Sequence, residues 1–137
     1  MHEAASIFKC PCVSAQSRSA LNIAYRPLVP ARFLRRLAQD PFLWQDERGH
    51  WHLLMHAMGW ESVGRHAFSR DAISWVISDV APYTADVEFE DGSKQTMLRR
   101  ERPQLVLDVS GTSPLFFSSG VEDYADHTYT LVMEFDI

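Results

Sequence analysis

Gln39-Asp40-Pro41-Phe42-Leu43-Trp44, running on through Asp46-Glu47-Arg48-Gly49 into His50-Trp51-His52-Leu53-Leu54-Met55-His56, is the stretch on which the fold of this chain turns. It reads as an Asp-Pro corner feeding a tight β-hairpin, because a short glycine loop separates two runs of strand character. Side chains alternate along a strand, so His50, His52 and His56 share one face with Leu54, while Trp51, Leu53 and Met55 share the other.

Outward from this hairpin the same texture continues to the end of the chain. Short runs rich in aromatic and β-branched residues are punctuated by turn signals at the spacing of an all-β meander. The expected strands are Phe42 to Gln45, His50 to Ala57, Arg65 to Ser69, Trp75 to Ser78, Thr84 to Glu90, Lys94 to Arg99, Gln104 to Asp108, Leu115 to Ser118 and Thr128 to Phe135. Asp91-Gly92 supplies a second hairpin turn. Residues 1 to 38 differ: Ser14 to Ala20 is small and polar, Pro27 and Pro30 interrupt any helix, and only Arg32 to Ala38 has helical periodicity. The sequence therefore divides into an irregular arm, 1–38, and an all-β domain of antiparallel meander sheets, 39–137.

Composition narrows the function classes. At 137 residues the chain has the length of one domain, and 46% hydrophobic with 23% charged residues is ordinary for a globular protein. A net charge of −5, with basic residues scattered apart from Arg35-Arg36 and Arg99-Arg100, leaves no footprint for a phosphate backbone, so no nucleic acid partner is expected. No long apolar run and no basic leader region are visible, so neither a membrane span nor a signal peptide is expected. Cys10 and Cys12, one residue apart around Pro11, are too close for an ordinary disulfide and lack the second pair of a zinc site, so both read as free thiols. No Gly-x-Ser-x-Gly elbow, phosphate loop or dinucleotide fingerprint occurs.

Three motifs carry a family resemblance over roughly Asp40 to Val121. They are Asp40-Pro41-Phe42, Ser69-Arg70-Asp71-Ala72-Ile73-Ser74-Trp75 and Arg100-Glu101-Arg102-Pro103-Gln104-Leu105. In this order they resemble glycoside hydrolases of the five-bladed β-propeller type, family 43-like, in the arabinanase, levansucrase and invertase group. The resemblance implies an incomplete propeller of about two to three blades, acting on O-glycosidic bonds of a poly- or oligosaccharide without a cofactor. Asp40 would be the carboxylate that orients substrate, Glu101 the general acid, and His56, His66, Phe42 and Trp44 the sugar contacts. It implies secretion or a vacuolar or lysosomal setting for the complete protein. Asp71 is expected only to cap a turn.

Glycoside cleavage asks for these residue types, since one carboxylic acid protonates the departing oxygen and a second carboxylate works on the opposite sugar face. Glu101 lies about sixty residues after Asp40, the separation expected of inner strands in neighbouring blades. Its arginine neighbours oppose an acid role, but strand alternation sends Arg100 and Arg102 to the opposite face and leaves only Arg99 beside it. The departure from the family pattern is a missing carboxylate: no acidic residue occurs between Glu3 and Asp40, where the first blade's Asp would stand. Weak or no activity of this chain alone is therefore expected, and a non-catalytic carbohydrate-binding module on the same scaffold is the alternative.

The histidines and aromatics admit more than one reading. His52, His56 and His66 suit a metal by ligand type but lack a carboxylate or cysteine at a recognisable spacing, and His50, His52 and His56 could equally mark a metal-dependent β-sandwich. His56 and His66 could contact sugar hydroxyls, or all could be hydrogen-bonded core residues. Trp75 reads as core, whereas Phe42 and Trp44 could stack on sugar rings. Trp51 and Trp60 stay open between core and sugar. Asp46, Asp79 and Asp108 read as turn caps.

Overall fold

The computed structural model describes residues 7–10, 29–30, 38–57 and 64–135, all in strands, turns or loops with no helix among them. In chain order the strands are β1 (Ile7–Cys10), β2 (Val29–Pro30), β3 (Ala38–Gln45), β4 (Trp51–Ala57), β5 (Gly64–Ser69) and β6 (Ser74–Ile77). They continue as β7 (Asp86–Glu88), β8 (Lys94–Thr96), β9 (Arg99–Leu107), β10 (Pro114–Glu122) and β11 (Thr128–Phe135). Each of the nine strands expected after Asp40 is present. The arm adds β1 and β2, and Ala38, the end of the expected helical stretch, opens β3; residues 31–37, Cys12 and Trp60 lie outside the described residues.

Two meanders organise the chain. One five-stranded sheet has the order β2-β6-β5-β4-β3, one four-stranded sheet the order β1-β11-β10-β9, and β7-β8 is a separate hairpin. All pairings are antiparallel except β1 with β11, which run parallel with Ile7 opposite Val132. Neither sheet closes on itself among the described residues.

The hairpins share one turn design that fixes their registers. At β3–β4 the Asp46 amide donates to the His50 carbonyl at 2.9 Å, the Gly49 amide donates to the Asp46 carbonyl at 2.8 Å, and Gly49 sits at φ 77°. This is a three-residue loop closed by a left-handed residue, for which glycine costs least. The turn between β10 and β11 repeats it as Asp123 to His127, with Asp126 at φ 62° in the left-handed position. In both, and again at Asp108, an aspartate side chain accepts amide hydrogen bonds from its own loop, which is the capping role expected of Asp46 and Asp108. Asp71 does the same between β5 and β6, taking the amides of Ile73 at 2.9 Å and Ser74 at 2.8 Å.

Burial explains why β4 reads as a nearly continuous apolar run. Leu54 packs with Tyr83, Val87, Met97, Phe117, Val121, Leu131 and Met133 in a core shared with the four-stranded sheet. Leu53 and Met55, pointing the other way, pack with Ala67 and Trp75 in a second core. A strand covered on both faces has no solvent side on which to place polar residues. Trp75 is core, as expected, and its indole N–H donates to the Ala72 carbonyl at 3.1 Å. β9 packs across the shared core against β3 and β4, which brings the Asp40 and Glu101 strands together.

Candidate functional site

Both candidate carboxylates stand at a bulge next to a proline. In β3 the register passes from Gln39 opposite His56 to Phe42 opposite Leu54, so Asp40 and Pro41 together face the single residue Met55. In β9 it passes from Glu101 opposite Gly120 to Gln104 opposite Ser118, so Arg102 and Pro103 face Ser119. The residue before each proline is left-handed, Asp40 at φ 51° and Arg102 at φ 56°. Proline donates no amide hydrogen and so fits a bulge, while the left-handed residue before it is strained by about 1–2 kcal/mol. Bulges of this kind re-aim side chains and cluster beside working sites.

The second bulge overturns one expectation from alternation. Arg100 does point away from Glu101, into the core, where it donates to Ser119 Oγ (3.2 Å), the Thr84 carbonyl (2.9 Å) and Met133 Sδ (2.8 Å) and lies over the rings of Tyr83 and Phe117. Arg102 does not follow it. The extra residue returns Arg102 to the solvent side, where it lines the same cleft as Glu101, and Pro103 takes the buried position.

Tyr83 lies on the core side, beneath the Arg100 guanidinium, whose carbon is 5.1 Å from the ring centroid. Its ring packs on Gly64, where a Cβ would overlap it, and its hydroxyl is buried with no hydrogen-bond partner among the described residues. Burial raises its pKa well above the usual tyrosine value, the Arg100 charge opposes the shift, and Asp40 and Glu101 both add to it. The phenol is therefore a neutral donor within the field of both acids. His56, buried in β4 opposite the residue before Asp40, also has an unpartnered ring nitrogen, Nδ1. Each of these two buried polar atoms lacks a partner among the described residues, a cost of about 1–3 kcal/mol if left unsatisfied.

His66 lies elsewhere on the same face. Trp44, His52 and His66 form a stacked ladder across β3, β4 and β5, with centroids 4.9 Å apart for Trp44 and His52 and 5.2 Å for His52 and His66. His52 Nδ1 and His66 Nε2 are 3.0 Å apart and share one proton, and His52 Nε2 is 3.5 Å from Asp46 Oδ2. Burial and then the His52 charge push the His66 pKa down to about 4, and burial also lowers that of His52. Burial works to raise the Asp46 pKa, but hydrogen bonds led by the His50 amide and the Arg48 side chain outweigh it. Phe42, tilted against Trp44 at 6.2 Å, packs with it against the shared core. Of the expected sugar contacts, His56 adjoins Asp40, whereas Trp44 and His66 are joined to each other. No group of three or more metal-ligating side chains occurs among the described residues.

An open cleft of about 350 Å³ runs beside Glu101, within the size range of small-molecule sites. Arg99, Arg102, Thr128, Tyr129 and Thr130 contribute to its walls. Neither Tyr83 nor Tyr129 was marked as a site residue by the sequence; for Tyr83 the only local signal is its place after Pro82, at the end of a turn. No family model matches the chain, and no curated protein or solved structure resembles it significantly.

Proposed function

We propose that this is a glycoside hydrolase-like protein, an incomplete five-bladed propeller whose Asp40 orients a sugar and whose Glu101 donates the proton that releases the leaving group. The observation that carries the reading is the matched pair of pre-proline bulges, Asp40-Pro41 on β3 and Glu101-Arg102-Pro103 on β9, on strands packed against each other. Two successive antiparallel meanders that bring their first strands together are what neighbouring propeller blades require. In the reaction, the Glu101 proton passes to the glycosidic oxygen as its bond to the anomeric carbon breaks, and a water or other nucleophile closes on that carbon. His56, opposite the residue before Asp40, carries a ring Nδ1 with no partner among the described residues. A base to activate water is the part without a candidate, since no acidic residue lies between Glu3 and Asp40.

That gap favours a second reading, carbohydrate binding without turnover. The two part on aryl glycosides assayed with and without azide, a nucleophile that can stand in for a missing carboxylate. The catalytic reading expects slow release of p-nitrophenol that azide accelerates. Glu101→Gln should slow it about 10²- to 10⁴-fold while sparing 2,4-dinitrophenyl glycosides, whose leaving group needs no acid. Sugar binding without azide-dependent release supports the binding module; no binding of any glycoside ends both readings.

A further inference from the structure

We infer that the cleft beside Glu101 binds a glycan bearing an anionic ring substituent, a uronate, with Arg102 as the specificity-determining contact; this rests on the carbohydrate reading above. The charges in the cleft are unequally committed. Arg99 is paired with Glu122, its Nε 3.4 Å from Oε2. Arg102 makes no hydrogen bond or ion pair among the described residues, yet is exposed on the wall that also holds Glu101.

Backbone geometry makes this placement specific. Arg102 at φ 56° occupies a conformation in which glycine or asparagine would cost least, and the bulge delivers its long cationic side chain to the cleft rather than to the core side that Arg100 occupies. The other walls suit a sugar. The Thr128 and Thr130 hydroxyls can donate to or accept from ring hydroxyls, while Tyr129, on the same side of β11 as Leu131 and Met133, turns its hydroxyl to Met97 Sδ at 3.7 Å. A planar guanidinium matches a carboxylate through two parallel hydrogen bonds, which a neutral hydroxymethyl group cannot make.

The test uses the whole chain and calorimetric titration with p-nitrophenyl glucuronides and galacturonides of both anomeric forms, their methyl esters, and a 6-sulfated galactoside. The free acid should bind about tenfold more tightly than its ester. That gap should narrow above about 0.5 M salt. Arg102→Asn keeps a residue tolerant of the left-handed backbone and should abolish the preference without lowering the unfolding temperature. Equal binding of acid and ester, or a preference that survives in Arg102→Asn, overturns the inference. Glu101-dependent cleavage of the ester would leave the proposed function standing in that case. Tighter binding of the sulfated sugar than of any uronate overturns the uronate assignment, and binding of no sugar overturns the inference together with the reading beneath it.

Discussion

Two left-handed residues in equivalent turns differ in a way that can be measured. Gly49 and Asp126 occupy the same position in the β3–β4 and β10–β11 hairpins, at φ 77° and 62°. Nothing lies within 4 Å of a Cβ built at Gly49, so Gly49→Ala meets no steric obstacle and its effect is that of backbone conformation alone. It should destabilise the fold by about 1 kcal/mol. Asp126→Gly should act oppositely, relieving strain and stabilising by about 0.5 kcal/mol after the entropy cost of glycine. Urea unfolding of the two variants checks both signs, and a destabilised Asp126→Gly would show that the aspartate side chain contributes more than its backbone costs.

At the scale of elements, the Arg100 side chain ties β9 to its neighbours in the shared core. Arg100 is 2% exposed and its guanidinium spans from Ser119 on β10 to Met133 on β11 and the carbonyl of Thr84. Arg100→Met retains length but strands the Ser119 hydroxyl and the Thr84 carbonyl, and should cost about 2–4 kcal/mol. An unfolding free energy within about 0.5 kcal/mol of the parent would contradict this role for Arg100. The position of Arg100 was legible from alternation, as were the nine strands after Asp40 and the glycine turns, because these depend on neighbours one or two residues away. Arg102 was not legible, although Pro103 inside a strand is a local sign of a bulge, since a bulge reverses the alternation on which the reading relied. The parallel pairing of β1 with β11 joins residues at opposite ends of the chain and leaves no periodic trace in either. The histidine face of β4 was visible, but its partners depend on register: His52 meets Trp44 and Phe68, His66 meets Leu54, and only then does the ladder appear.

Across the whole molecule that ladder couples folding to pH. His66 has a folded pKa of about 4 against 6.5 when unperturbed, because burial and the neighbouring His52 disfavour its charge. Between these two values the unfolded chain binds a proton that the folded chain refuses, so acidification favours unfolding. The neutral ring's stability is fully present above about pH 6.5 and is lost as the pH falls towards 4, by on the order of 3 kcal/mol. His52, also lowered and sharing a proton with His66, pushes in the same direction, and its contact with Asp46 opposes only part of the effect. Carboxylates elsewhere titrate over part of this window, so the contribution is isolated by difference. His66→Gln keeps a polar partner for His52 but cannot gain a charge. Its unfolding free energy should fall less than the parent's between pH 7.5 and pH 5, measured by urea titration at each pH. Parallel pH profiles for the two proteins would mean that the ladder opens to water before it protonates, and that stacking with Trp44 and Phe68, rather than the shared proton, holds β3, β4 and β5 in register.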